Sequence, residues 1–214
     1  MARIKAFESF TTRYEAWFEK HHAAYISELL ALRAHVPLIG KGLEVGIGTG
    51  RFAVPLGIAI GVDPCREMIR VAKERGIDAI QGIAEELPFC DNSFDYILVV
   101  TTICFVDSLQ KMLSEALRVL RPEGKLIIGF IDRDSAMGQL YEAHKAENVF
   151  YRDATFYSAE EVSAILSAMN FHITDWTQTL SHSLQETRDI EPAESGKGDY
   201  AFVVVSALSK KNSS

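Results

Sequence analysis

Basic residues are few and scattered. Lys and Arg number 22 against 29 Asp and Glu, giving a formal net charge of −7, and the Lys210–Lys211 pair near the end is not joined by any longer basic run. A duplex-binding surface needs clustered Lys and Arg to displace counterions, so a nucleic-acid partner is disfavoured. Long apolar runs are lacking as well. The uncharged apolar stretches Phe52–Val62 and Tyr96–Val106 fall well short of the ~20 residues of a membrane helix, and no membrane insertion is expected. No basic region followed by an apolar one opens the chain, so the sequence predicts no export signal. Cysteine is rare: Cys65, Cys90 and Cys104 have neither CxxC spacing nor nearby paired His. They predict reduced thiols in a cytoplasmic protein and no metal site.

Repeats, low-complexity segments and linkers rich in Gly, Ser or Pro are also missing, so the 214 residues read as one domain of common size. What is present is an alternation of two hydrophobic periods. Short apolar or β-branched runs at Leu43–Val45, Ile58–Val62, Ala79–Gln81, Phe94–Val100, Leu126–Ile131, His172–Trp176 and Ala201–Ser206 read as seven strands.

Helical patterns separate most of them. Leu109, Met112, Leu113, Ala116, Leu117 and Leu120 follow helical spacing up to the stop Arg121-Pro122-Glu123-Gly124. Ser158 and Glu161 form a capping box before another helix, and Asn170 suits the left-handed position after it. A third helix is expected from about Pro64 to Gly76.

This order predicts an α/β, Rossmann-like, doubly wound seven-stranded sheet, mostly parallel, with an antiparallel last strand and helices on both faces. The polar stretch Leu180–Asp199 offers no crossover helix, which implies a hairpin-like end to the sheet. Residues 1–40 carry Phe7, Phe10, Tyr14, Trp17, Phe18 and Tyr25 mixed with charge and predict one or two helices. A cap over a ligand cleft and packing under the sheet both suit that pattern. The sequence predicts 1–40 as a helical segment capping the cleft, 41–209 as the domain and 210–214 as a polar tail.

The sharpest local pattern is Leu43-Glu44-Val45-Gly46-Ile47-Gly48-Thr49-Gly50, a strand ending in three alternate glycines. Glycine permits positive φ and lets a ligand approach the backbone, and in an open parallel sheet ligands bind beyond the carboxyl ends of the strands. Two cofactor chemistries compete for this turn. Gly48-Thr49-Gly50-Arg51-Phe52-Ala53 satisfies a dinucleotide fingerprint, which would suit an NAD(P)-dependent oxidoreductase. Against a pyrophosphate, Glu44 would repel diphosphate and attract an ammonium or sulfonium. Asp63 could accept both hydroxyls of a ribose under either chemistry, and Glu85 suits an exocyclic amine such as that of adenine. S-adenosylmethionine supplies a cation, a diol and an amine together.

These residues resemble the class I S-adenosylmethionine-dependent methyltransferases, in the group that includes the ubiquinone/menaquinone-biosynthesis type. LEVGIGTGRFAVPL (43–56) is similar to the family's first motif and GVDPCREMI (61–69) to its ribose-binding segment. GIAEELPFCDNSFDYILVVTTICFV (82–106) resembles the adenine-binding segment and central strand, SEALRVLRPEGKLII (114–128) the fifth strand with its preceding helix, and FYSAEEVSAILSAMNF (156–171) the last helix. The resemblance implies S-adenosylmethionine as cofactor, S-adenosylhomocysteine as product, and a small-molecule acceptor methylated at O, N, C or S.

It further implies that Glu44 senses the methionine ammonium, directly or through water, and that Gly46, Ile47, Gly48 and Gly50 form the turn against the cofactor. Asp63 would hold the ribose, Pro64 and Met68 would pack near the adenine, Ala84 and Glu85 would address its edge, and Thr101 would offer its carbonyl to the ammonium. Pro55 and Gly57 interrupt the stretch before Asp63, so the first helix of the domain should be truncated. Ile47 stands where many members have Cys. A non-catalytic domain that binds S-adenosylmethionine and regulates a partner is a further reading.

Methyl transfer from a sulfonium releases a neutral leaving group, so alignment dominates and no fixed catalytic residue is expected. Between the N-terminal segment and the insertion after the fifth strand, the candidates are Tyr14, His21, Asp132 and His144, with His22, Tyr141, Tyr151 and Tyr157 also available. Each has an ordinary packing or surface role as its competing reading. Arg133–Arg152 could form a lid or a solvated helix.

Overall fold

A computed structural model describes residues 5–211; residues 1–4 of the N-terminal segment and 212–214 of the tail lie outside the described residues. Three helices open it: α1 (Lys5–Ser9), α2 (Thr11–Lys20) and α3 (His22–Arg33), where the sequence predicts one or two. His21, turned away from helical ψ (φ −113°, ψ 44°), ends α2 and begins α3. The apolar pattern runs through this joint, which hides the break.

The strands are β1 (Gly42–Val45), β2 (Ile60–Asp63), β3 (Asp78–Gln81), β4 (Phe94–Val100), β5 (Leu120–Ile131), β6 (Phe171–Thr179), β7 (Glu194–Ser195) and β8 (Phe202–Ser209). Between them lie α4 (Ala53–Leu56), α5 (Arg66–Glu74), α6 (Leu109–Val119), α7 (Ala136–His144) and α8 (Ala159–Ala168). They form one sheet in the order β3-β2-β1-β4-β5-β8-β6-β7. β1 to β5 pair in parallel, and β8 runs antiparallel to both β5 and β6. This is the doubly wound sheet the alternation predicts. The eighth strand is the two-residue β7 on the free edge of β6, too short to leave a periodic trace.

Side-chain alternation on the strands builds the two faces. Leu43, Ile97, Val99, Leu126 and Ile128 point to the face covered by α6 and α8. Tyr96, Leu98, Val100 and Ile127 point to the other, where α3, α4 and α5 contribute Leu32, Leu56 and Ile69. β4 is buried along nearly all its length, as an apolar central strand should be. Gly129 makes the α3 face possible, because a Cβ there would lie 2.9 Å from Leu32 Cδ2 and 2.6 Å from Phe202 Cζ.

Several local expectations hold. The Ser158–Glu161 capping box is complete, Asn170 is left-handed (φ 60°), and α4 is a four-residue helix stopped by left-handed Gly57. Two boundaries shift. β5 starts at Leu120, opposite Phe94, and the Arg121–Gly124 turn is an irregularity within the strand, with Glu123 at φ 60°. α5 starts at Arg66, not Pro64, because Asp63 Oδ1 accepts from the Cys65 N–H at 2.8 Å and holds Cys65 extended as the N-cap.

Candidate functional site

The carboxyl ends of the parallel strands open into a cavity of about 390 Å³, near the lower end of the roughly 300–1,000 Å³ of small-molecule sites. Its floor is Gly46 and Gly48 after β1, Val62, Asp63 and Pro64 at the end of β2, and Val100–Thr102 after β4. One wall is Gly82–Glu85, which follows β3, with Met68 of α5. Phe7, Arg13, Tyr14, Trp17, Phe18 and Glu28 face it from the N-terminal helices. Phe105, Tyr141, Phe150 and Tyr151 complete the enclosure.

The glycine turn has the conformation its sequence requires. Gly46, Gly48 and Gly50 have φ of 73°, 52° and 81°, the left-handed region where a side chain is strained. Gly46 and Ile47 donate to the Val62 carbonyl at 2.8 and 3.0 Å, docking the turn on β2. A Cβ on Gly46 would lie 2.2 Å from Thr102 Oγ1, and one on Gly48 would lie 3.1 Å from the Tyr14 hydroxyl.

Asp63 ties this turn to the start of α5: Oδ2 accepts from the Gly48 N–H at 2.9 Å and Oδ1 from Cys65. Burial pushes its carboxyl up to about 6 against those two bonds. Glu44 lies behind the turn, 1 % exposed. Burial raises it well above the usual carboxylate range, although the Ala53 N–H at the start of α4 pulls the other way, and Oε2 has no hydrogen-bond partner among the described residues.

Of the residues singled out in the sequence, Gly46, Gly48, Asp63, Pro64, Met68, Ala84, Glu85 and Thr101 meet around this one cavity. Glu44, Ile47 and Gly50 are outside its lining. Ile47 is buried over Gly61, where a Cβ would lie 2.0 Å from Ile47 Cδ1, and Gly50 packs on Ala72 and Ile77. Glu85 carries a structural duty besides facing the cavity: Oε1 accepts from the Asp107 and Ser108 N–H groups at 2.6 and 3.2 Å, just before α6.

Among the four catalytic candidates only Tyr14 reaches the cavity. Asp132 follows β5 as expected, yet its Oδ1 accepts from the Asp134 and Ala159 N–H groups and serves the turn and the start of α8. His21 sits at the α2–α3 joint with its ring 5.2 Å from that of Trp17. His144 is exposed at the end of α7, 3.6 Å from Glu147. Sequence reasoning missed Glu28. It is a charged residue on the buried stripe of α3 with Ala24, Ala31 and Leu32, and a charge on such a stripe is a detectable anomaly.

The fold recurs in known proteins. A Thermotoga maritima S-adenosylmethionine-dependent methyltransferase, described as a possible histamine N-methyltransferase, is 47% identical and superposes with a TM-score of 0.93 over 96% of this chain and 98% of that one. A family model described as a methyltransferase domain matches residues 43–128. The chain belongs to the S-adenosylmethionine-dependent methyltransferases. An uncharacterised Methanocaldococcus jannaschii protein is 43% identical over 204 residues, covering 95% of this chain and 98% of its own length. The demethylmenaquinone methyltransferase of Renibacterium salmoninarum is 39% identical over 92 residues, 40% of this chain and 39% of that protein. No helix of the described residues is long and apolar enough to cross a membrane, and no cluster of potential metal ligands occurs among them.

Proposed function

We propose that the cavity binds S-adenosylmethionine and that the protein transfers its methyl group to a small-molecule acceptor in the cytoplasm. The observation that carries this reading is the convergence on one cavity of a left-handed glycine turn, the Asp63 carboxylate and the Gly82–Glu85 segment. The residues fit the cofactor's parts. Asp63 has lone pairs beyond those used by Gly48 and Cys65 and would accept from the ribose hydroxyls. Ala84 through its N–H and Glu85 through Oε2 would address the adenine edge, between Pro64 and Met68. The Thr101 carbonyl, at a residue with φ 47°, would take the methionine ammonium, and buried Glu44 would ionise in answer to that ammonium from behind Gly46 and Gly48.

When bound, S-adenosylmethionine supplies an electrophilic methyl on a sulfonium. The chain's own part is to hold the acceptor in line with that methyl and to exclude water. The N-terminal helices and the aromatic residues of 105–151 do both. The description of the Thermotoga protein makes amines the acceptor class to test first.

Calorimetry with S-adenosylhomocysteine tests the reading. Asp63→Ala should weaken binding by an order of magnitude or more, since charge-assisted bonds contribute about 1.5–3 kcal/mol each. Tight NAD(P) binding with none of S-adenosylhomocysteine would overturn the proposal. Cofactor binding without turnover of any acceptor would instead leave a regulatory domain.

A further inference from the structure

Glu28 has no structural employment. It lies on the buried stripe of α3, 4 % exposed, and it lines the cavity. Its carboxylate makes no hydrogen bond or ion pair with any described residue, and burial alone pushes it up to about 8. The other buried carboxylates are engaged: Asp63 by Gly48 and Cys65, Asp132 by Asp134 and Ala159, and Glu44 by Ala53. An isolated buried carboxylate is costly to keep, which is expected where a ligand supplies the partner.

The surroundings define that partner. Glu28 acts electrostatically on Tyr14, Tyr141 and Tyr151, at the end of the cavity closed by α2 and the segment after β5. Tyr151 stacks on Tyr141 at 5.2 Å and on Phe105 at 5.9 Å, so both its faces are taken, and packed aromatic rings line the space beside one carboxylate. Of the charged wall residues, Glu28, Asp63 and Glu85 are acidic and Arg13 is basic, which favours a cationic guest. The adenosine contacts proposed above lie on Asp63 and Gly82–Glu85, which leaves the Glu28 end for the acceptor.

We propose that Glu28 binds the acceptor as an amine: its carboxylate pairs with the ammonium beside the tyrosine rings and takes the proton that must leave before methylation. This rests on the methyl-transfer reading above. The amine nitrogen gives one proton to the Glu28 carboxylate, and its freed lone pair forms the new N–C bond. The S–C bond breaks with its electrons remaining on sulfur, and Glu28 returns the proton to solvent as the N-methylated ammonium departs. A carboxyl raised by burial suits proton transfer near neutral pH.

The test compares binding by the full chain, in the presence of S-adenosylhomocysteine, of 2-phenylethylamine and hexylamine with their neutral counterparts 2-phenylethanol and 1-hexanol. The wild type should prefer at least one amine over its alcohol. Glu28→Gln, which keeps shape and removes charge, should weaken that amine roughly 30-fold while S-adenosylhomocysteine affinity stays within about twofold. Equal binding of both amines and their alcohols overturns the assignment. So does an equal loss of S-adenosylhomocysteine in Glu28→Gln, which would give the carboxylate to the cofactor. Failure of the wild type to bind S-adenosylhomocysteine at all would instead refute the methyl-transfer reading beneath it.

Discussion

Glu15 of α2 and Arg51 of the glycine-turn segment are joined by two hydrogen bonds, from Nε at 3.0 Å and Nη2 at 2.6 Å to Oε2. The same carboxylate receives the Thr49 hydroxyl and the guanidinium of Arg75 just after α5. Arg51 also packs 5.1 Å over the Phe18 ring, and its carbonyl accepts from the Tyr25 hydroxyl at 2.6 Å. The N-terminal helices are thereby fastened to the turn that the cofactor is proposed to occupy, one residue from Tyr14, whose hydroxyl lies over Gly48. Cutting this link should loosen cap and site together. Glu15→Ala should cost about 1–3 kcal/mol of stability, between exposed and fully buried pairs, and should weaken S-adenosylhomocysteine binding several-fold. Hydrogen exchange should rise in α2 first.

Acid should undo the same link. Burial pushes Glu15 up, but its bonds to Arg75, Arg51 and Thr49 outweigh this and bring it down to about 2 from 4.5. A folded-state value below the unfolded one means stability that is complete above about 4.5 and disappears as pH falls towards 2. In urea titrations across pH 2–6, the stability gap between wild type and Glu15→Gln should therefore be full at pH 6 and shrink steadily below pH 4.5. A gap independent of pH would show that the ion pair contributes nothing.

Two glycines with nearly equal φ separate backbone strain from site crowding. Gly46 (φ 73°) would place a Cβ among the atoms of Thr102, whereas a Cβ on Gly57 (φ 76°) would meet nothing among the described residues within 4 Å. Gly57→Ala should cost about 1–2 kcal/mol, the left-handed penalty alone, and leave cofactor affinity unchanged. Gly46→Ala should cost more, because Thr102 must move, and should abolish measurable S-adenosylhomocysteine binding. Thermal melts and calorimetry on the two variants decide it.

The parts of this molecule that sequence reveals are those governed by local rules. β4 reads as a central strand because both its faces are apolar, and the Ser158–Glu161 box announces α8 because cap and helix are three residues apart. Asp63 is legible for a similar reason: it terminates a strand that must lie beside the glycine turn. Asp132 shows where such reasoning stops. Its position after β5 is as expected, but which way its carboxylate turns depends on Ala159, 27 residues on. Glu28 is remote in sequence from every motif, and only the packing of α3 against β5, β6 and β8 brings it to the cavity. The joint at His21 and the two-residue β7 leave no periodicity to read.

The absence of a partner for Glu28 has a consequence for stability with a definite sign. Its carboxyl is pushed up to about 8 by burial, from 4.5, so between those values the unfolded chain releases a proton that the folded ligand-free protein retains. Stability attributable to this group is highest below pH 4.5 and falls as pH rises to about 8, the reverse of Glu15. Glu28→Gln removes the ionisation and keeps the volume. It should leave the melting temperature nearly unchanged at pH 4 and raise it at pH 9, by an amount on the order of 2–4 kcal/mol, or roughly 2–4 °C per kcal/mol for a chain of this size. A substitution that stabilises the protein while impairing acceptor binding is the pattern expected where a site retains an unfavourable group for function. A melting temperature that falls at pH 9 would instead mean that the carboxylate has a partner holding the fold together.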